Sequence, residues 1–80
     1  MSLYSLDNLR NEVSLIDEKI VKLLKKRFVI TNDIGTVKKV NNIPIENLFI
    51  EADKLASIDP MLQSIFEEIF KVSKWQQTTM

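Results

Sequence analysis

An all-α fold, with three helices per chain of which one is long, one short and one medium, is predicted by three observations. The 80-residue chain holds one Gly and two Pro, while Leu, Ile, Lys and Glu are plentiful. Apolar residues recur at alternating steps of three and four from Leu6 to Val37. Each proline stands where a helix would end or restart, at Ile43-Pro44 and Asp59-Pro60. Eighty residues allow one domain, 1–80, near the lower limit at which a core holds itself together unaided.

The first helix starts after Ser5, a fair N-cap, and Asp7 suits the positive end of the helix dipole. Its seam is Leu6, Leu9, Val13, Ile16, Ile20, Leu23, Arg27, Ile30, Ile34 and Val37. Such a seam faces another helix, and its seventh member is an arginine. A second stripe, Val21, Leu24 and Phe28, widens the apolar surface around mid-helix. Gly35 lies in a stretch of poor helix propensity with Thr31, Asn32, Asp33 and Thr36. It marks either the end of the helix or a point of close approach, and the continuing seam favours the second. Asn41-Asn42-Ile43-Pro44 ends the segment, because the residue before proline avoids helical geometry.

A short second helix is expected from near Glu46 or Asn47, carrying Leu48, Ile50, Glu51 and Leu55. Asp59-Pro60 then pairs an N-cap acceptor with proline at the first helical position. The third helix carries Leu62, Ile65, Phe66, Ile69, Phe70 and Val72 and turns polar through Ser73, Gln76 and Gln77. Trp75 is expected to pack and anchor the C-terminal end.

Length implies a partner. A helix over about residues 5 to 41 is roughly 55 Å long, whereas a compact globule of this size has a diameter of roughly 30 Å. The helix must project beyond its own domain with an apolar seam along its whole length. A second copy of the chain, in an isologous dimer, is the simplest cover.

Composition excludes several chemistries. Eleven Lys plus Arg balance eleven Asp plus Glu, which argues against a nucleic-acid partner. Without Cys or His there is no disulfide framework, no thiolate or Ser-His nucleophile and no His-based metal site. No apolar run approaches a membrane span and the N-terminus lacks a secretory pattern, so the expected location is the cytoplasm.

Candidate binding residues are cationic. Arg27 and Lys38 stand eleven residues apart, so both leave one helix face about 16 Å apart along the axis. They could lean toward a small anion between them. Arg27 could equally snorkel or pair with a carboxylate, and Lys38 could be solvated charge beside Lys39. Arg10 lies about 25 Å from Arg27 along the helix, so only an antiparallel dimer could bring it near. Ser73 and Gln77, spaced i, i+4, share a face with Phe66 and Phe70. Glu51 on the short helix reads by itself as an ordinary exposed charge.

Together, "LDNLRNEVSLIDEKIVKLLKKRFVITNDIGTVKKVNNIPI", Glu51 and "IFEEIFKVSKWQQ" resemble the all-helical (type II) class of chorismate mutases. The shared parts are Leu9-Arg10, Ile16-Asp17, Leu24 to Arg27, Ile34-Gly35 with Lys38, Ile43-Pro44-Ile45, and Ser73 with Gln77. The resemblance implies an intertwined homodimer with two sites, each built from both chains. It implies rearrangement of chorismate to prephenate, a step toward phenylalanine and tyrosine, with no cofactor and no metal. Arg27 and the partner's Arg10 would bind the two substrate carboxylates. Lys38 and Gln77 would hydrogen-bond the ether oxygen, Glu51 would receive the ring hydroxyl, and Ser73 would lie near a carboxylate.

There are departures from the family pattern. Ile50 stands where an arginine usually precedes the glutamate, so one carboxylate contact is expected to be missing. Asn47, counted among the substrate-binding positions, stands where an acidic residue is common. The middle helix is shorter than usual by two or three turns. The chemistry still suits the residues: a concerted unimolecular rearrangement needs a flexible dianion held in its reactive shape and positive potential at the breaking ether bond, and no nucleophile. The rival readings are isochorismate-pyruvate lyase on the same fold and a non-catalytic helical dimer that serves as a ligand sensor or interaction module.

Overall fold

The computed structural model describes residues 5–45 and 47–78. Over these residues the chain is all-helical, with α1 at Leu6–Val40, α2 at Leu48–Ser57, α3 at Pro60–Thr78 and no strand. Each helix begins where a short polar side chain can replace a missing backbone partner. Ser5 Oγ accepts the Asn8 N–H at 3.1 Å, Asn47 Oδ1 accepts the Ile50 N–H at 3.1 Å, and Asp59 Oδ1 accepts the Met61 N–H at 2.9 Å. The second helix thus starts at Leu48 with Asn47 as its cap; the other expected start, Glu46, lies outside the described residues.

Helix α1 runs unbroken through Gly35, which is its one buried residue among those described. It ends in a Schellman arrangement. The Ile43 N–H donates to the Lys38 carbonyl at 2.8 Å and the Asn42 N–H to the Lys39 carbonyl at 3.3 Å. That geometry needs a left-handed residue, and Asn42 supplies it with φ of 55°. Pro44 follows two residues later, where the helix could not have continued.

Helix α3 is the middle element and packs against both α1 and α2. The interior is slight. Among the described residues Phe70 is the one buried hydrophobe, at 7% exposure, and Phe66 meets it edge to face with ring centroids 6.2 Å apart. On α1, Leu24 and Phe28 of the second stripe are half-buried, as is Thr31 one turn beyond. The long seam is different. Of its ten members Arg27 alone is half-buried, and the nine aliphatic ones stay exposed, Leu23 at 64% and Ile30 at 59%. Trp75 is 67% exposed, so the expectation that it anchors the C-terminal end by packing is not met within the chain.

The molecule is correspondingly elongated. Its extents are 62 × 25 × 14 Å and its radius of gyration is 17.0 Å, against about 12 Å for a compact chain of this length. Its accessible surface of 6754 Å² exceeds the roughly 5,000 Å² expected for a compact monomer of this mass. Among the described residues no helix is long and apolar enough to cross a membrane.

Candidate active site

Three helices each present one stripe of side chains to a single cavity of about 210 Å³. From α1 come Arg27, Thr31, Ile34 and Lys38, spaced at four, three and four, so all leave one face. From α3 come Phe70, Ser73, Lys74 and Gln77, spaced at three, one and three. From α2 and its cap come Asn47, Ile50, Glu51 and Lys54. Packing α3 between the other two helices brings these stripes to face one another.

Arg27 is held in place from α3. Its Nη1 donates to Ser73 Oγ at 2.8 Å, and its Cζ lies 5.4 Å from the centre of the Phe70 ring. Ser73, 5% exposed, in turn donates from Oγ to the Ile69 carbonyl at 3.0 Å. The serine hydroxyl thus passes the helix's own acceptor strength to the guanidinium. Burial lowers the Arg27 pKa from its ordinary value. Arginine stays protonated regardless, so this is a desolvation cost that an anion in the cavity would offset. One turn further along α1, Thr31 Oγ1 meets Gln76 Oε1 at 3.3 Å.

Lys38 Nζ donates to the Ile45 carbonyl at 2.7 Å, tying α1 to the segment that leads into α2. An ammonium has three donors, so this bond leaves capacity for a ligand. Gln77 is 6% exposed, and its Oε1 is buried without a hydrogen-bond partner. A buried orphan of this kind costs about 1–3 kcal/mol. Gln77 lines the cavity wall, where a donor would complete this oxygen, or the amide can turn to present its nitrogen instead. Glu51 is paired with Lys74, whose Nζ lies 3.1 Å from Oε1 and 3.3 Å from Oε2.

Arg27, Lys38, Glu51, Ser73, Gln77 and Asn47 therefore all line one cavity. Arg10 does not join them within the chain. It sits near the other end of α1 in an apolar groove with Leu6, Leu9 and Val13.

The family model described as "Chorismate mutase type II" matches residues 9–78. The chain belongs to the type II chorismate mutase family. A solved structure of a conserved hypothetical protein from Pyrococcus furiosus is similar over 95% of this chain and 99% of that one, with 41% identity and a TM-score of 0.87. Among curated proteins none matches. Helix α2 forms the remaining wall of the cavity. That helix has ten residues, none of them buried, and turns an aliphatic Ile50 into the cavity beside Glu51.

Lys74, Lys54 and Thr31 line the cavity as well, and sequence reasoning passed over them. The signal was available for Lys74, which follows Ser73 and stands at i+4 from Phe70 and i−3 from Gln77. For Lys54 and Thr31 the spacing alone does not separate a cavity wall from a solvated face.

Proposed function

We propose that the protein is a chorismate mutase acting as one domain, an isomerase that converts chorismate to prephenate in aromatic amino-acid biosynthesis in the cytoplasm. The observation that carries this is the cavity. An anchored guanidinium, an ammonium and a buried amide converge on it, from a chain that belongs to the type II family. Arg27 holds one substrate carboxylate through its planar fork, oriented by Ser73. Lys38 keeps its bond to the Ile45 carbonyl and offers another proton to the ether oxygen. Gln77 donates from its amide to the same oxygen, which needs its nitrogen turned toward the cavity. Glu51 accepts from the ring hydroxyl, and Asn47 borders that side of the cavity. The carbon–oxygen bond breaks as the new carbon–carbon bond forms. Negative charge grows on the ether oxygen as this happens, and Lys38 stabilises it. The walls hold the enolpyruvyl arm over the ring, which removes much of the entropic barrier.

The second carboxylate contact comes from a second chain. Nine aliphatic seam residues stand exposed on α1, and the alternating pattern reads the same from both ends. Laid antiparallel on its own copy over its full length, the seam matches Leu6 with Val37, Leu9 with Ile34 and Val13 with Ile30. The groove formed by Ile30, Ile34, Val37 and Ile43 would receive the partner's N-terminal turns. In that register Arg10 of the partner subunit falls opposite Asp33, next to Ile34, which also lines the cavity. The surface in excess of a compact monomer suits the interface of an obligate, intertwined homodimer.

The test is loss of chorismate absorbance on adding purified protein, with prephenate as product. Pyruvate release from isochorismate, without chorismate turnover, would make the protein a lyase. Dianion binding without turnover of either substrate would make it a sensor.

A further inference from the structure

We propose that Lys74 is a positioning residue for substrate recognition: it holds the Glu51 carboxylate as the acceptor for the ring hydroxyl, and so fixes the α2 wall of the site. This rests on the reading of the cavity as a chorismate site. Glu51 stands on the helix with least support. Helix α2 has no buried residue and packs on α3. Among the described residues, its polar ties to α3 include the Glu51–Lys74 pair and, at its far end, the bond from Gln63 Nε2 to the Leu55 carbonyl at 3.0 Å. Near the cavity, the orientation of Glu51 thus depends on Lys74.

The pair also differs from an ordinary surface ion pair. The ammonium lies within reach of both carboxylate oxygens. The side chains of Lys74 and Glu51 are 30% and 23% exposed, whereas those of the exposed pair Lys71–Glu68 are both 70% exposed. A carboxylate has about four acceptor positions, so one ammonium leaves room for a hydroxyl donor. Ile50, the preceding residue on α2, brings no charge to this wall. The other cations on the cavity are Lys54 on α2 and Arg27 and Lys38 on α1. Arg27 and Lys38 are engaged elsewhere, with Ser73 and with the Ile45 carbonyl. Lys74 comes from α3 one residue after Ser73, so the helix that anchors Arg27 also sets the hydroxyl acceptor.

Discrimination at the hydroxyl separates this role from general attraction of a dianion. The probes are chorismate-like cyclic dicarboxylates with and without the ring hydroxyl. Their binding to the full chain is followed by calorimetry, alongside chorismate turnover. The wild-type protein should favour the hydroxylated probe by roughly tenfold to a hundredfold, the worth of a hydrogen bond to a charged group. Lys74→Met should lose most of that preference and bind the deoxy probe nearly as well as wild type, whereas Lys74→Arg should keep it. Circular dichroism should show unchanged helicity in both variants. Equal weakening toward both probes would overturn the proposal, since Lys74 would then be a general anion anchor. An unchanged preference in Lys74→Met would overturn it too, while leaving the mutase reading in place if turnover persists. Failure of the wild-type protein to bind or convert chorismate would instead overturn the mutase reading, and this proposal with it.

Discussion

Arg27 shows how a charged residue is placed inside an apolar pattern. It occupies a seam position, yet its guanidinium turns to α3, where Ser73 accepts its hydrogen bond and Phe70 offers a ring face. If Arg27 and Lys38 carry the substrate's charge, Arg27→Ala or Lys38→Ala should lower turnover about a hundredfold or more. Helical content should persist, since neither residue is part of the buried interior; steady-state kinetics with circular dichroism checks both points. Gln77→Glu makes a sharper test, because a carboxyl group donates a hydrogen bond only when protonated. Its burial raises that carboxyl's pKa and the neighbouring cations lower it. On either balance, turnover should be highest in acid and fall as pH rises through the carboxyl's pKa. A flat pH–rate profile would remove Gln77 from the mechanism. Arg27 with Lys38 was legible in the sequence because helical spacing alone puts them on one face. Glu51 with Lys74 was not, since no local pattern relates residues on two different helices.

At the scale of the elements, the starts of α1 and α3 were readable because caps act over three residues, and that of α2 only to within a residue or two. Ser5, Asn47 and Asp59 each satisfy an N–H two or three positions ahead. The end of α1 was readable only in part. Pro44 forbids continuation, but the left-handed turn at Asn42 is a property of the folded backbone. Gly35 left two possibilities, and the fold decides for an unbroken helix with a buried glycine. A buried glycine leaves no room there for a larger side chain. Gly35→Leu should therefore destabilise the protein by about 1–3 kcal/mol through overpacking. Urea denaturation would measure it; unchanged stability would mean that the burial of Gly35 carries no packing constraint.

At the scale of the molecule, the governing fact is that one chain cannot cover its own hydrophobic surface. A 62 Å rod with an exposed aliphatic seam is the form expected of a chain that pairs along it, as in the proposed dimer. An antiparallel partner with shared sites makes a quantitative prediction. Arg10→Ala and Arg27→Ala chains should each be nearly inactive alone. Co-expressed in equal amounts, they should recover about a quarter of wild-type activity, because half the dimers are mixed and each mixed dimer has one intact site. Recovery absent from demonstrated mixed dimers would show that Arg10 does not act across the interface.

The sequence by itself determined three helices, the caps of the first and third, the long amphipathic seam and the cationic spacing on α1. These follow from interactions within a few residues and from the fixed rise of a helix. Only the tertiary structure decided that the aliphatic seam stays largely exposed while its arginine turns to α3, where Ser73 anchors Arg27 across 46 positions. It alone joined Lys74 to Glu51 across 23 positions. The reason is physical: helical periodicity says which residues share a face, but not which face another helix will cover.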